Sequence, residues 1–460
     1  MVKNDRLQFF KNSNLAQISI MKSVYRIVIS MLCLLFLFSC SEKENDLKGI
    51  ITAEYLHQLN KALEASIVED FFSPPVASRI YVYPNIAAYE ILSSGQEQFT
   101  SLSNFMNTLE SIPMSDDVNK NLSALYAFYH SSKALVYTSS FLDNYIATVE
   151  KEFKEKGGSK EVLLKANEYG KLVANHILKW ANKDQYPQMR SMPEYQLKKT
   201  PGSWVPTLPD YSAALEPHWN KLRSFTLDSA SQFKPATPTA FSMKKGSAFY
   251  EETQDVYTAL NNNTKETKTI AKFWDCNPLV RQHQGHVTFA EKKLTPGGHW
   301  VNIARIAMKE KKQNIIETAH SYTLLCIGIS DAFISCWDEK YRSNYIRPVT
   351  VIQQYIDPKW KPILYTPNFP EYPSGHSVVS SSAATILTHI FGENYTFTDN
   401  TEVPYGMAPR TFNSFIEASK EAAISRLYGG IHFMPAIENG KIQGVKVGEH
   451  VLDKLQLKAQ

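Results

Sequence analysis

A long block of one charge is missing from this chain. Its 49 Lys+Arg and 45 Asp+Glu leave a formal net charge of +4, with both signs spread over 460 residues. That pattern offers no basic face for a phosphate backbone, so nucleic acid is not an expected partner. Cysteine is scarce too: of five, only Cys276, Cys326 and Cys336 lie beyond the first forty residues. Cys326 and Cys336 stand ten apart on one predicted helix, about 15 Å along its axis, too far for a disulfide. At most one bridge, through Cys276, is open, so the fold does not rest on disulfides. Strand-type alternation is also missing, and there is no internal repeat. The long apolar run Ile27–Phe38 is too short for a comfortable membrane span.

That run is the core of a leader. Lys22 and Arg26 precede it and Leu37-Phe38-Ser39-Cys40 ends it, the basic, apolar, small-residue order of a secretory signal. The polar first twenty residues are atypical, which leaves Met21 as an alternative start. With cysteine directly after the small residue, the segment resembles a bacterial lipoprotein signal and implies lipidation of Cys40. Residues 41–50 then form a polar tether whose acidic residues are similar to surface-export signals of some Gram-negative lipoproteins. The expectation is an outer-membrane lipoprotein facing the periplasm or the cell surface, held to the membrane by its lipid. Residues 51–460 follow as one domain.

The body reads as all-α. From Val162 to Trp180, apolar residues recur at Val162, Ala166, Tyr169, Val173, Ile177 and Trp180, the helical period. Similar patterns occupy 52–67, 77–94, 118–137, 140–155, 247–261 and 314–344. His176 falls on the apolar side of its helix and is expected to be a packed core histidine. Eight prolines between Pro187 and Pro238 forbid long helices across 184–246. Such a segment is either a lid or site wall, or a spacer between two helical halves. His283, His286 and His299 lie close in sequence, but Gly285 argues against a helix aligning the first two. No cysteine or acidic partner stands at ligand spacing, so no metal centre is expected there. His299 is expected to line or support a pocket. Asp331 and Asp338, seven apart on one helix face, could pair with a site cation, although a structural role is favoured.

Three short segments carry chemistry: Lys340-Tyr-Arg-Ser-Asn-Tyr-Ile-Arg347-Pro348, Pro373-Ser374-Gly375-His376, and Ser425-Arg426-Leu-Tyr-Gly-Gly-Ile-His432. Lys340, Arg347 and Arg426 can surround a tetrahedral oxyanion. Ser374 and Gly375 add a hydroxyl and a backbone N–H, placed by the following small-residue stretch at a helix N-terminus, a natural anion site. Pro348 puts Arg347 at a helix end. Gly429 and Gly430 break the helix bearing Arg426, so that His432 can turn back. Two imidazoles, His376 and His432, remain for proton transfer and covalent attack. The inventory suits phosphoryl transfer, which depends on positioning and charge neutralisation.

These segments resemble, in order and spacing, the signature K-x6-R-P, P-S-G-H, S-R-x5-H of the type 2 phosphatidic acid phosphatase and vanadium haloperoxidase superfamily. Pro75–Tyr81, Pro217–Trp219, Ala271–Asp275 and Pro296–Trp300 also look like segments of its secreted bacterial members. The resemblance implies an all-α multi-helix bundle. It implies that Lys340, Arg347, Ser374, Gly375 and Arg426 hold phosphate or vanadate oxygens, with His376 as general acid and base. His432 would be the phosphatase nucleophile, or the axial ligand if vanadate is bound. One departure matters: many members carry an Asp four residues after this last His, where Ala436 stands here. A carboxylate there would orient the imidazole; Glu438 or a backbone carbonyl is the candidate substitute.

Two chemistries follow. The first is a phosphatase without cofactor, acting on a small phosphorylated substrate, a phosphomonoester or pyrophosphate, through a phosphohistidine on His432. The alternative is a vanadate-dependent haloperoxidase that oxidises halide with hydrogen peroxide, which the missing Asp favours. A non-catalytic oxyanion- or glycan-binding lipoprotein is a third class, against which both intact histidines argue.

Overall fold

The computed structural model describes residues 49–458, except residues 107, 114, 116, 279, 280, 285, 286 and 291; of 281–284 and 287–290 it describes the backbone. The leader, Cys40 and most of the tether lie outside the described residues. Each helix that the apolar period predicts is formed. The first half holds α1 (Ala53–Glu69), α2 (Pro74–Ser93), α3 (Lys120–Lys133), α4 (Ser140–Glu155), α5 (Lys160–Ala181) and the single turn α6 (Tyr186–Met189). The second holds α7 (Ala248–Asn261), α8 (Lys265–Phe273), α9 (Pro296–Glu310), α10 (Ile315–Ser343), α11 (Pro348–Tyr355), α12 (Gly375–Phe391), α13 (Phe415–Tyr428) and α14 (Met434–Lys454). Among the described residues no helix is long and apolar enough to cross a membrane.

Helix α10 joins the halves. Its 29 residues span about 43 Å. Asn314 and Glu317 close its start as a capping box, and Asn344, left-handed at φ 47°, ends it. Between them the helix is buried almost all round, as a sequence apolar on every face requires. It packs on α2 from the first half and on α12 and α14 from the second.

The expectation of no strands is corrected. Two antiparallel pairs form: β1 (Arg281–Gln284) with β2 (Val287–Ala290), and β3 (Phe397–Asp399) with β4 (Arg410–Phe412). Three or four residues give too few alternations for a period of two to show in a sequence.

The proline-rich segment 184–246 is pinned rather than free. Asp184, fully buried, accepts from Arg79 Nε at 2.6 Å and from the Tyr83 hydroxyl at 2.8 Å. The Arg223 guanidinium lies 4.0 Å from the Trp180 ring centroid. Asp331 of α10 accepts from the Phe225 and Thr226 amides and the Thr226 hydroxyl. Asp338 accepts from Asn220 and pairs with Arg342. Both acids are therefore structural. His176, expected in the core, is instead half-buried, bonded through Nε2 to the Glu110 carbonyl at 2.8 Å. It sits at the edge of the buried stripe of α5, where one turn of the helix separates packed from solvated. Cys276, Cys326 and Cys336 are all buried and free.

Candidate active site

Five elements deliver the predicted residues. Lys340 comes from the last turn of α10. Arg347 is the N-cap of α11, with Pro348 at its first position; the proline therefore opens a new helix where the sequence suggested a helix end, as the ring's fixed φ permits. Ser374 caps α12, its hydroxyl accepting from the Ser377 amide, so Gly375 and His376 occupy the first turn. That places first-turn amides, which lack helical partners, at the site. Arg426 lies in the last turn of α13, and Gly430 at φ +76° reverses the chain so that His432 returns beside it. Helix α12 is fixed by close approach to α14: a Cβ on Gly444 would lie 2.1 Å from the Val378 carbonyl oxygen, and one on Gly440 3.0 Å from that of Ser374.

Gly375, His376, Arg426 and His432 line one cavity, beside Leu215, Trp337, Phe369 and Cys276. Leu215 belongs to the proline-rich segment, and its carbonyl accepts from Trp337 Nε1 and the Tyr341 hydroxyl. The segment is thus a fixed wall of the site. Arg347 stands behind the lining, donating from Nε to the Phe369 carbonyl and from Nη1 to the Ile431 carbonyl and His432 Nε2 (3.2 Å). Its Nη2 is buried without a partner, as is His376 Nε2. Arg426 donates to Ser425 Oγ and the Trp274 carbonyl. Lys340 is engaged by backbone in this structure. Its Nζ lies within 3.0 Å of three carbonyls, those of Pro370, Glu371 and Pro373, which use all its protons. Burial pushes its pKa down to about 7. Lys340 thus braces the turn leading into Ser374.

The carboxylate missing at position 436 is supplied from elsewhere. Glu371, fully buried, accepts from His432 Nδ1 at 2.7 Å and from the Phe433 amide at 2.9 Å. With Nδ1 donating to Glu371 and Nε2 accepting from Arg347, the network assigns the neutral tautomer with a lone pair on Nε2. Burial, then Arg347 and Lys340, hold His432 well below the usual imidazole range. Burial pushes Glu371 up to about 8 against the opposing pull of Arg347 and Lys340. Glu438, the sequence candidate for this role, is exposed and paired with Lys441. Ala436 contributes its carbonyl to the Ser374 amide instead. Burial, then Arg426, likewise hold His376 well below its usual range.

A second cluster sits behind Cys276. His299 Nε2 is 2.6 Å from Asp399 Oδ2, while Nδ1 is 3.3 Å from both Cys276 Sγ and Glu402 Oε1. Its ring stacks on Trp274, centroids 4.6 Å apart. Burial alone would lower this imidazole, but Asp399 and then Cys276 outweigh it and raise it well above the usual range. His299 supports the cavity wall as expected. No cysteine or acid stands at ligand spacing in the sequence, yet packing brings Cys276 beside His299, and β3 and the turn after it bring two acids from about a hundred residues away.

The profile of the VCPO second helical-bundle domain matches residues 320–460. The structure is similar to that of the first bacterial vanadium-dependent iodoperoxidase, with 46% identity and a TM-score of 0.84, covering 89% of this chain and 98% of that one. The chain belongs to the superfamily of type 2 phosphatidic acid phosphatases and vanadium haloperoxidases. A holo-type bacterial vanadium-dependent chloroperoxidase shares the superfamily fold at 16% identity and a TM-score of 0.66, covering 84% of this chain and 93% of that one. Its apo-type structure gives the same identity and score. Comparison with curated proteins finds no match.

Proposed function

We propose that this chain is a vanadium-dependent haloperoxidase that oxidises halide, iodide foremost, with hydrogen peroxide. The observation that carries the proposal is the 46% identity to the iodoperoxidase over 89% of this chain. The residues present fit vanadate: Arg347 Nη2 and His376 Nε2 are buried polar atoms awaiting a partner. Gly375 lines the same cavity, where a Cβ would stand 3.6 Å from Trp337 and 3.9 Å from Lys340 Cε. Arg347, Arg426, Ser374 and the first amides of α12 would hold the oxygens, and the His432 Nε2 lone pair would meet the metal. When bound, vanadate supplies a Lewis-acidic centre that activates peroxide toward halide. Around it, Glu371 holds the His432 ring and its tautomer, while His376 Nε2 takes or returns a proton. Leu215, Trp337 and Phe369 restrict water.

Phosphatase chemistry is the second reading, and Glu371 favours it, since the buried carboxyl restores the orientation of His432 that a nucleophile requires. The absent Asp therefore no longer separates the two. The test is activity of metal-stripped protein with iodide and peroxide, with and without vanadate, beside hydrolysis of an aryl phosphate. Iodide oxidation that requires vanadate is expected. Phosphate hydrolysis with no vanadate-dependent oxidation would overturn the proposal in favour of the second reading.

A further inference from the structure

We propose that Cys276, His299 and Glu402 form a buried site for one divalent transition metal ion of zinc type, separate from the oxyanion cradle. The three ligand atoms are already spaced for it. Sγ to Nδ1 is 3.3 Å, Oε1 to Nδ1 is 3.3 Å, and Sγ to Oε1 is 3.9 Å. A tetrahedral zinc ion with bonds of about 2.0–2.3 Å separates neighbouring ligand atoms by about 3.3–3.6 Å, which both distances to Nδ1 meet and the sulfur–oxygen distance exceeds by about 0.3 Å. A point exists about 2.0–2.1 Å from Nδ1 and Oε1 and about 2.3 Å from Sγ, the zinc bond length for each atom type. Thiolate, imidazole and carboxylate together suit zinc-like ions, whereas calcium and magnesium take oxygen ligands.

The surroundings match a metal centre as well. Asp399 Oδ2, 2.6 Å from His299 Nε2, fixes the ring so that Nδ1 faces the other two ligands. The Thr401 amide in turn holds Asp399 Oδ1 at 2.9 Å. A carboxylate behind a ligating histidine is the usual support in zinc sites. The four groups are buried, none more than 5% exposed. Two carboxylates and a thiol enclose one imidazole, so the enclosure carries excess negative charge that a cation would offset. The competing occupant is a proton on Nδ1, which answers the same charge. Sulfur distinguishes them: a proton there leaves Cys276 a thiol, since burial raises it, while a metal ion makes it a thiolate.

Cobalt reports that difference. Full-length protein stripped with chelator and free of vanadate is titrated with Co²⁺, and absorbance is followed for thiolate-to-cobalt charge transfer. One equivalent bound, with that band, displaced by Zn²⁺, is expected. Cys276→Ser should abolish the band, and Asp399→Asn should weaken binding about 10–100-fold. His432→Ala should leave the band unchanged, which separates this site from the cradle. Absence of the band in the wild-type protein, or a band undiminished in Cys276→Ser, would overturn the proposal. If Cys276→Ser fails to fold, the wild-type spectrum and the Asp399→Asn affinity decide.

Discussion

His432 and His299 are both buried, both held by a carboxyl group and both beside the same cavity, yet they are driven in opposite directions. Arg347, Lys340 and Arg426 surround His432 and push its proton off. Asp399 foremost holds the proton on His299, with Glu402 3.3 Å from Nδ1. Burial opposes charge on either ring, so burial is not what separates them. The sign of the neighbouring charge does, and it sets which occupant each site suits: an oxyanion at His432, a cation at His299.

The largest expected effect comes from removing the cradle's positive charge. Arg347→Ala or Arg426→Ala should weaken vanadate and phosphate binding by about 100-fold or more, given about 1.5–3 kcal/mol for each charged hydrogen bond lost. Equilibrium binding checks this; wild-type affinity in either variant would break the comparison at its root.

A third imidazole serves as the control, because burial outweighs the charges near it. His57 bonds the Tyr322 hydroxyl at 2.9 Å, and burial lowers it to about 4. Its folded pKa lies below the unfolded value near 6.5, so the unfolded chain binds the proton first. Stability from neutral His57 is therefore present above about pH 6.5 and lost as pH falls towards 4, by up to about 3 kcal/mol. Denaturation at several pH values should show that slope, and His57→Leu should flatten it. An unchanged slope would mean that burial contributes less than supposed.

Glu371 comes next. Glu371→Ala frees the His432 ring and should reduce vanadate affinity about 10–100-fold. Glu371→Gln keeps an acceptor for Nδ1 and should restore most of it while shifting the pH profile of binding. A loss as large in Gln as in Ala would show that charge, not ring position, is its contribution. The smallest effect is expected at Glu438. Exposed and paired with Lys441, its change to Ala should move stability by less than about 0.5 kcal/mol and leave the site untouched.

What the sequence made legible follows the same division. Lys340, Arg347, Gly375, His376, Arg426 and His432 stand in short segments whose internal spacing carries the signal, and the long helices announce themselves by period. Glu371 lies 61 residues before His432 in an irregular stretch, so no period or spacing marks it. Cys276, His299 and the pair Asp399 and Glu402 are assembled from three places by tertiary packing alone. Lys340 shows the opposite limit: its position was legible, but its engagement by three carbonyls depends on a turn that no local pattern encodes. The four strands are too short to show alternation.

The opposed charge of the two sites is tested most directly by measuring bound vanadium and bound cobalt together in Arg347→Ala and Glu402→Gln. The first variant should lose vanadium and keep cobalt, and the second should lose cobalt and keep vanadium. Loss of both ions in either variant, or of neither, would contradict the account.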